Sequence, residues 1–277
     1  MGWLVFSNLY VACCGAALTA ASYALLGSSP RVDRVVLLVF FGTLVIYNLD
    51  RLVEPAPGDS AHERWVAEHR RPLWGLTLVA SLGASACLPG LSTAAMISLL
   101  IPAALSIGYC VPVYRSGRRW RRLKALPGGK LLLIAGVWTY ATLALPQINS
   151  PLRLAPATLT LLLLSRVFFL LAVAMPFDLP DAARDRAAGI LTIPQRLGVA
   201  GTRRLAVVLA VLSGGLALGC PWPFAAGLLV SSAVTVGLVH ALSAQRGVLY
   251  YEVLLDGMLL LQAGLVGLLW AGGQGAV

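Results

Sequence analysis

Long apolar runs separated by short polar stretches divide this chain into nine segments, at roughly 3–26, 35–50, 73–89, 92–110, 131–147, 156–176, 203–219, 223–243 and 252–272. Most approach the ~20 apolar residues needed to cross a hydrocarbon core. The second and third are short or broken by Gly and Ser. Apolar and polar positions do not alternate, so the spans are predicted to be helices, which satisfy their own backbone groups in lipid. The predicted architecture is an all-α integral membrane protein, a bundle of about nine transmembrane helices around a central cavity. Without Pro- or Ser-rich linkers, residues 1–277 form one domain.

Composition agrees with this picture. Apolar residues make up 58% of the 277, charged residues 12%, and the mean hydropathy is +0.83. A soluble core needs far less apolar surface. The net charge of +10 is distributed by topology. With nine spans, every Lys and Arg except Arg31, Arg34, Arg153 and Arg166 falls on the face carrying the N-terminus and the 2–3, 4–5, 6–7 and 8–9 loops. This asymmetry marks the charged face as cytoplasmic, and the cavity is expected to open there. Attraction to anionic membrane lipid explains the positive charge, and nucleic acid is not an expected partner. No basic stretch precedes the first apolar span, so it is read as a retained helix rather than a cleaved signal. The five cysteines have no metal-ligand spacing and are read as small packing residues, and zinc is not expected. Trp65, Trp74, Trp120, Trp138 and Trp222 fall near predicted helix ends, the usual place of interfacial anchors.

Every acidic residue except Asp33 lies on the charged face or at its boundary. Asp50 and Glu54 are four apart at the end of span two, before Pro55 and Pro57 stop the helix. In loop 6–7, "FDLPDAARDRAAGILTIPQRLG", Asp181 and Asp185 repeat that spacing, and Asp178 precedes them by a turn. An arginine accompanies each pair, Arg51 in the first and Arg186 in the second. Carboxylate clusters hold hard cations, and Mg²⁺ takes one or two carboxylates per ion, filling its other positions with water and phosphate oxygens. Arg and Lys clamp phosphate directly. Loop 4–5, "YRSGRRWRRLKALPGGK", supplies such charge. Acid pairs, a basic loop and an apolar bundle point to a substrate with a diphosphate head and a hydrocarbon tail. Solvated loops at a membrane edge are the ordinary alternative, above all for the basic loop.

The segment "DAARDRAAGILTIPQRLG" resembles the second aspartate motif of the UbiA-type intramembrane prenyltransferases: D-x-x-x-D, then Arg, Gly, Thr-x-Pro and Leu-Gly. Asp181, Asp185, Arg186, Gly189, Thr192, Pro194 and Gly198 match. "YCVPVYRSGRRWRRLK" is similar to the family's Tyr-Ser-x-Pro segment leading to Arg-Leu-Lys, through Tyr109, Pro112, Arg122 and Lys124. The first motif departs from the family pattern N-D-x-x-D-x-x-x-D. Asp50 takes its middle Asp and Glu54 its last, Ile46 and Tyr47 stand where Asn-Asp opens it, and Asn48 lies two residues on. The resemblance implies Mg²⁺-dependent transfer of a prenyl group from a prenyl diphosphate to a lipophilic acceptor, often an aromatic ring. It implies Mg²⁺ on Asp50, Glu54, Asp178, Asp181 and Asp185. Arg51, Lys124 and Arg186 would stabilise the leaving pyrophosphate. Asn48, Tyr109, Arg122, Arg166 and Asp256 would contact substrate. The expected location is a bacterial inner membrane, with the active-site loops in the cytoplasm.

Other residues carry competing readings. Arg166 lies in mid-span, where a charge is expensive and either paired or functional. Glu252 and Asp256, four apart at the start of the last helix, face the cavity mouth, Glu252 in a packing or capping role and Asp256 deeper. His62 and His69 belong to an exposed loop and are expected to be solvated. A transporter fits intramembrane charges and broken helices but gives no reason for Asp-x-x-x-Asp-Arg beside a basic loop. A non-catalytic protein that binds polyprenyl lipid is compatible with the altered first motif.

Overall fold

The computed structural model describes residues 2–53, 60–117, 119–126, 128–180, 182, 186, 192–243, 246–247 and 249–274. A short helix α1 (Gly2–Phe6) leads into α2 (Leu9–Leu25) and α3 (Arg34–Val53). Then come α4 (Ala61–Glu68), α5 (Arg70–Cys87), α6 (Thr93–Ser98) and α7 (Leu100–Cys110). A hairpin of β1 (Tyr114–Ser116) and β2 (Arg119–Arg121) pairs Tyr114 with Arg121. It is followed by α8 (Gly129–Thr139), a π-helical stretch Tyr140–Ala144 and α9 (Leu145–Asn149). The chain ends with α10 (Pro156–Ala174), α11 (Ile193–Ala217), α12 (Phe224–His240), a second π-helical stretch Leu249–Leu255, and α13 (Asp256–Gln274).

Among the described residues, seven helical segments are long and apolar enough to cross a membrane, and α2 and α12, of 17 residues each, are shorter. At 1.5 Å per residue those two cover about 25 Å. The chain is an integral membrane protein. Its helices close a ring: α2 packs on α3, α3 on α7, α7 on α8, α8 on α10, α10 on α11, α11 on α12, α12 on α13, and α13 back on α2, with α5 outside α3. α10 illustrates the patterning. Leu162, Ser165, Arg166, Phe169, Leu170 and Val173 recur at helical spacing and are buried, while Leu164 points outward and is exposed.

The predicted first span, 3–26, is two helices. Asn8 adopts a left-handed conformation (φ 64°), and its Nδ2 donates to Oδ1 of Asn48 at 2.8 Å, so a helix–helix contact breaks the run at Ser7–Asn8. The 2–3 loop contains α4, started by a capping box between Ser60 and Glu63. The span predicted at 203–219 is extended back to Ile193 by a short helical piece that joins it across a kink at Gly198, whose φ 65° and ψ −178° are essentially reserved for glycine.

Candidate functional site

The last turns of α3 sort its residues. Asn48 and Leu52, four apart, are buried against neighbouring helices, while Tyr47, Asp50 and Arg51 share another face and line internal cavities. Asp50 Oδ1 accepts from Lys124 Nζ at 2.8 Å, and Arg122 Nη1 lies 3.8 Å away. Both cations follow the β1–β2 hairpin, Lys124 on a single 3₁₀ turn, Leu123–Ala125. Lys124 is itself buried, with its ammonium 5.4 Å from the centroid of the Tyr109 ring, inside cation–π range. Asp50 Oδ2 makes no hydrogen bond or ion pair with the described residues.

A second pair lies beside it, Lys124, Lys130 and Asp178 lining one small cavity. Lys130, in the first turn of α8, places Nζ 2.7 Å from Oδ1 of Asp178, which closes the 3₁₀ turn Met175–Asp178 after α10. Asp178 is only 2% exposed. The ammonium at contact distance offsets part of the cost of burying this carboxylate.

Three cavities meet here. One of 390 Å³ is polar on part of its wall, with Arg51, Lys130, Asp178, Arg246, Glu252 and Asp256 among its lining. A second, of 140 Å³, is lined by Asp50, Arg51 and Tyr109 among apolar neighbours. A third, of 510 Å³, lies among α3, α5, α7 and α8 and is almost wholly apolar. Tyr47 and Trp138 line all three, with their rings edge to face at 6.2 Å and 76°. The charged end therefore connects through two aromatic rings to an oily chamber. This arrangement suits a ligand with an anionic head and an apolar chain.

Lys130, His62, Tyr47 and Trp138 were not singled out from the sequence as site residues. Lys130 ends the basic loop, but its partner is 48 residues away, and no local pattern links them. Trp138 is not an interfacial anchor: α8 starts at Gly129 and the helical segment runs to Asn149, so Trp138 sits halfway along it and is buried. Trp74, Trp120 and Trp222 are exposed. His62 is not solvated either. It is 5% exposed and stacked on Phe6, and its Nδ1 is 2.8 Å from Glu252 Oε1.

Asn48 is buried at its contact with Asn8 and lies apart from the residues lining the three cavities. Arg166 is buried at 4% exposure. It donates to Thr142 Oγ1 at 3.1 Å and Ser22 Oγ at 3.3 Å, and lines none of these cavities. Asp256 lines the polar cavity one turn beyond Glu252. Arg186 is exposed. Glu54, Asp181 and Asp185 lie outside the described residues. Among the described residues, no three His, Cys, Asp or Glu side chains gather to hold a metal. Asp50, with one oxygen uncommitted, and Asp178 are hard oxygen donors of the kind Mg²⁺ uses one or two at a time.

No family model matches this sequence, and no curated protein matches it at a significant level. The solved structures do match. A UbiA homologue from Archaeoglobus fulgidus bound to Cd²⁺ is 15% identical with a TM-score of 0.67, covering 98% of each chain. Its structure bound to GPP and Mg²⁺ is 13% identical with a TM-score of 0.66, covering 98% of this chain and all of that one. A structure of digeranylgeranylglyceryl phosphate synthase in membranes is 14% identical with a TM-score of 0.55, covering 99% and 98%. The chain has the UbiA-type intramembrane fold over essentially its whole length.

Proposed function

We propose that this protein is a UbiA-type prenyltransferase, which moves a prenyl group from a prenyl diphosphate to a lipophilic acceptor inside the membrane, its charged end facing the cytoplasm. The observation that carries this reading is the pair Asp50 and Arg51 in a cavity that shares Tyr47 and Trp138 with a large apolar one, with Lys124 and Arg122 beside the Asp50 carboxylate. Two further points support it. The UbiA homologue with this fold was solved bound to GPP and Mg²⁺ and to DMAPP and Mg²⁺. The segment around Asp181 and Asp185 also resembles that family's second aspartate motif.

On this reading Asp50 and Asp178, with Glu54, Asp181 and Asp185, would hold Mg²⁺. Those carboxylates would thereby bring to the site the positive charge that offsets the diphosphate and favours departure of pyrophosphate. Lys124, Arg51 and Arg186 place fixed positive charge where the negative charge on the leaving group grows, so they bind the transition state more strongly than the ground state. Lys124 is held in advance by Asp50 and by the Tyr109 ring, which spares it the entropy of finding its place. The apolar lining excludes water from the allylic cation until an acceptor attacks. Purified protein incubated with GPP, Mg²⁺ and a panel of aromatic acceptors should yield a product heavier by one prenyl unit. Absence of that product across the panel, with GPP consumption no faster than in buffer, would contradict the reading.

A further inference from the structure

We propose that Glu252, seated on His62, is the group that removes the proton from the acceptor; the inference rests on the transferase reading above. His62 rides on α4, whose start is fixed by the Ser60–Glu63 capping box. Its Nε2 lies 3.2 Å from the carbonyl oxygen of Phe6, and its Nδ1 2.8 Å from Glu252 Oε1. A carbonyl can only accept, so Nε2 carries a hydrogen. One further proton lies on the line between Nδ1 and Oε1, whichever of the two atoms it is bonded to. Phe6 stacks on the imidazole at 4.7 Å and fixes its plane.

Glu252 belongs to the π-helical stretch before α13, and the Tyr10 hydroxyl donates to the Val253 carbonyl at 3.0 Å, tying that stretch to α2. Single π-turns inside α-helices recur at functional sites. Among the described residues His62 is the only hydrogen-bond partner of the Glu252 side chain, which leaves Oε2 uncommitted, and Glu252 lines the 390 Å³ cavity. Arg51, Arg246, Asp256 and the Lys130–Asp178 pair line the same cavity.

Prenyl transfer needs such a group. The allylic C–O bond breaks and its electron pair leaves with pyrophosphate. An electron pair of the acceptor forms the new bond to the allylic carbon, and the acceptor becomes cationic, the atom that formed the bond still carrying its hydrogen. That hydrogen leaves as a proton to Glu252 Oε2, and its bonding pair stays with the acceptor. The pair ends with one added proton: Oε2 carries it, and the proton already on the Nδ1–Oε1 line settles on Nδ1, leaving a neutral Glu252 carboxyl beside a His62 imidazolium. His62 is a positioning residue here, because it orients the carboxylate and sets which oxygen is free.

The test uses full-length protein in detergent with GPP, Mg²⁺ and a phenolic acceptor panel, and measures pyrophosphate, prenylated product and prenyl alcohol together. Glu252→Gln is expected to release pyrophosphate within about threefold of the wild-type rate while product falls about 100-fold, the scale of lost general-base catalysis, with prenyl alcohol making up the difference. His62→Gln should shift the partition in the same direction, and Glu252→Asp should recover part of the product. If Glu252→Gln lowers pyrophosphate and product equally, or changes neither, the inference is overturned. The same holds if Asp256→Asn, and not Glu252→Gln, diverts the product to alcohol. Wild-type protein that neither releases pyrophosphate nor forms product defeats the transferase reading itself, and the inference with it.

Discussion

Lys124 and Asp50, 74 residues apart in sequence, meet at 2.8 Å with the lysine buried. Removing one partner of a buried pair strands the other charge. Lys124→Met is therefore expected to destabilise the protein by about 2 kcal/mol, less than the ~3–5 kcal/mol of a fully lost buried pair, because Arg122 remains 3.8 Å from the carboxylate. The double variant Asp50→Asn/Lys124→Met should regain stability but not activity. Thermal unfolding in detergent, run beside a transfer assay, separates the two effects. Recovery of both would make the pair purely structural.

Arg166 is held by two hydroxyls that already have other acceptors, since Thr142 donates to Trp138 O and Ser22 to Leu18 O. Arg166→Met removes a buried charge and strands no donor, so stability should be unchanged or raised by up to about 4 kcal/mol. Arg166→Ala leaves a void and should lose about 2–5 kcal/mol. Equal losses in both variants, measured by thermal unfolding, would show that the guanidinium itself is required.

Gly198→Ala tests the bend in α11. No atom lies within 4 Å of the position a Cβ would take, so any loss comes from the backbone alone. With φ 65° and ψ −178°, about 1–3 kcal/mol of destabilisation is expected in chemical or thermal unfolding. No change would mean that α11 straightens freely.

Trp138 stands between the charged cavities and the 510 Å³ apolar chamber. Trp138→Ala should raise kcat/KM for longer prenyl diphosphates relative to DMAPP, by about tenfold for a gain of roughly 1.4 kcal/mol in apolar contact along the added chain. Competition between donors of two lengths checks it. An unchanged ratio would place the tail elsewhere.

The hydropathy pattern carried the helices because burial in lipid imposes length and apolarity on every span. It could not carry the break at Ser7–Asn8, where a contact with Asn48 on another helix decides the backbone. Within the site, Asp50 and Asp178 stood out because carboxylates are rare in this chain, while only the resemblance picked Arg122 and Lys124 out of a loop dense in Arg and Lys. Lys130 and His62 looked like ordinary loop residues, since their partners, Asp178 and Glu252, are remote in sequence. Trp138 lies in the middle of the apolar run 131–147 as well as of the observed segment, so position already argued against an anchor and the reading rested on residue type alone. The resemblance at Asp181 and Asp185 falls outside the described residues, whereas the paired charges around Asp50 and Asp178 lie within them.

The most direct measurement is Mg²⁺-dependent pyrophosphate release from GPP by purified wild-type protein and by Asp181→Asn, each with an acceptor panel and with GPP binding measured in parallel. The account predicts release by the wild type that stops when Mg²⁺ is chelated, and a fall of about 100-fold or more in Asp181→Asn, because the substitution keeps the shape but removes an anionic ligand. Tight GPP binding with no release in any condition, unchanged by Asp181→Asn, would contradict it and favour a protein that binds prenyl lipid without transferring it.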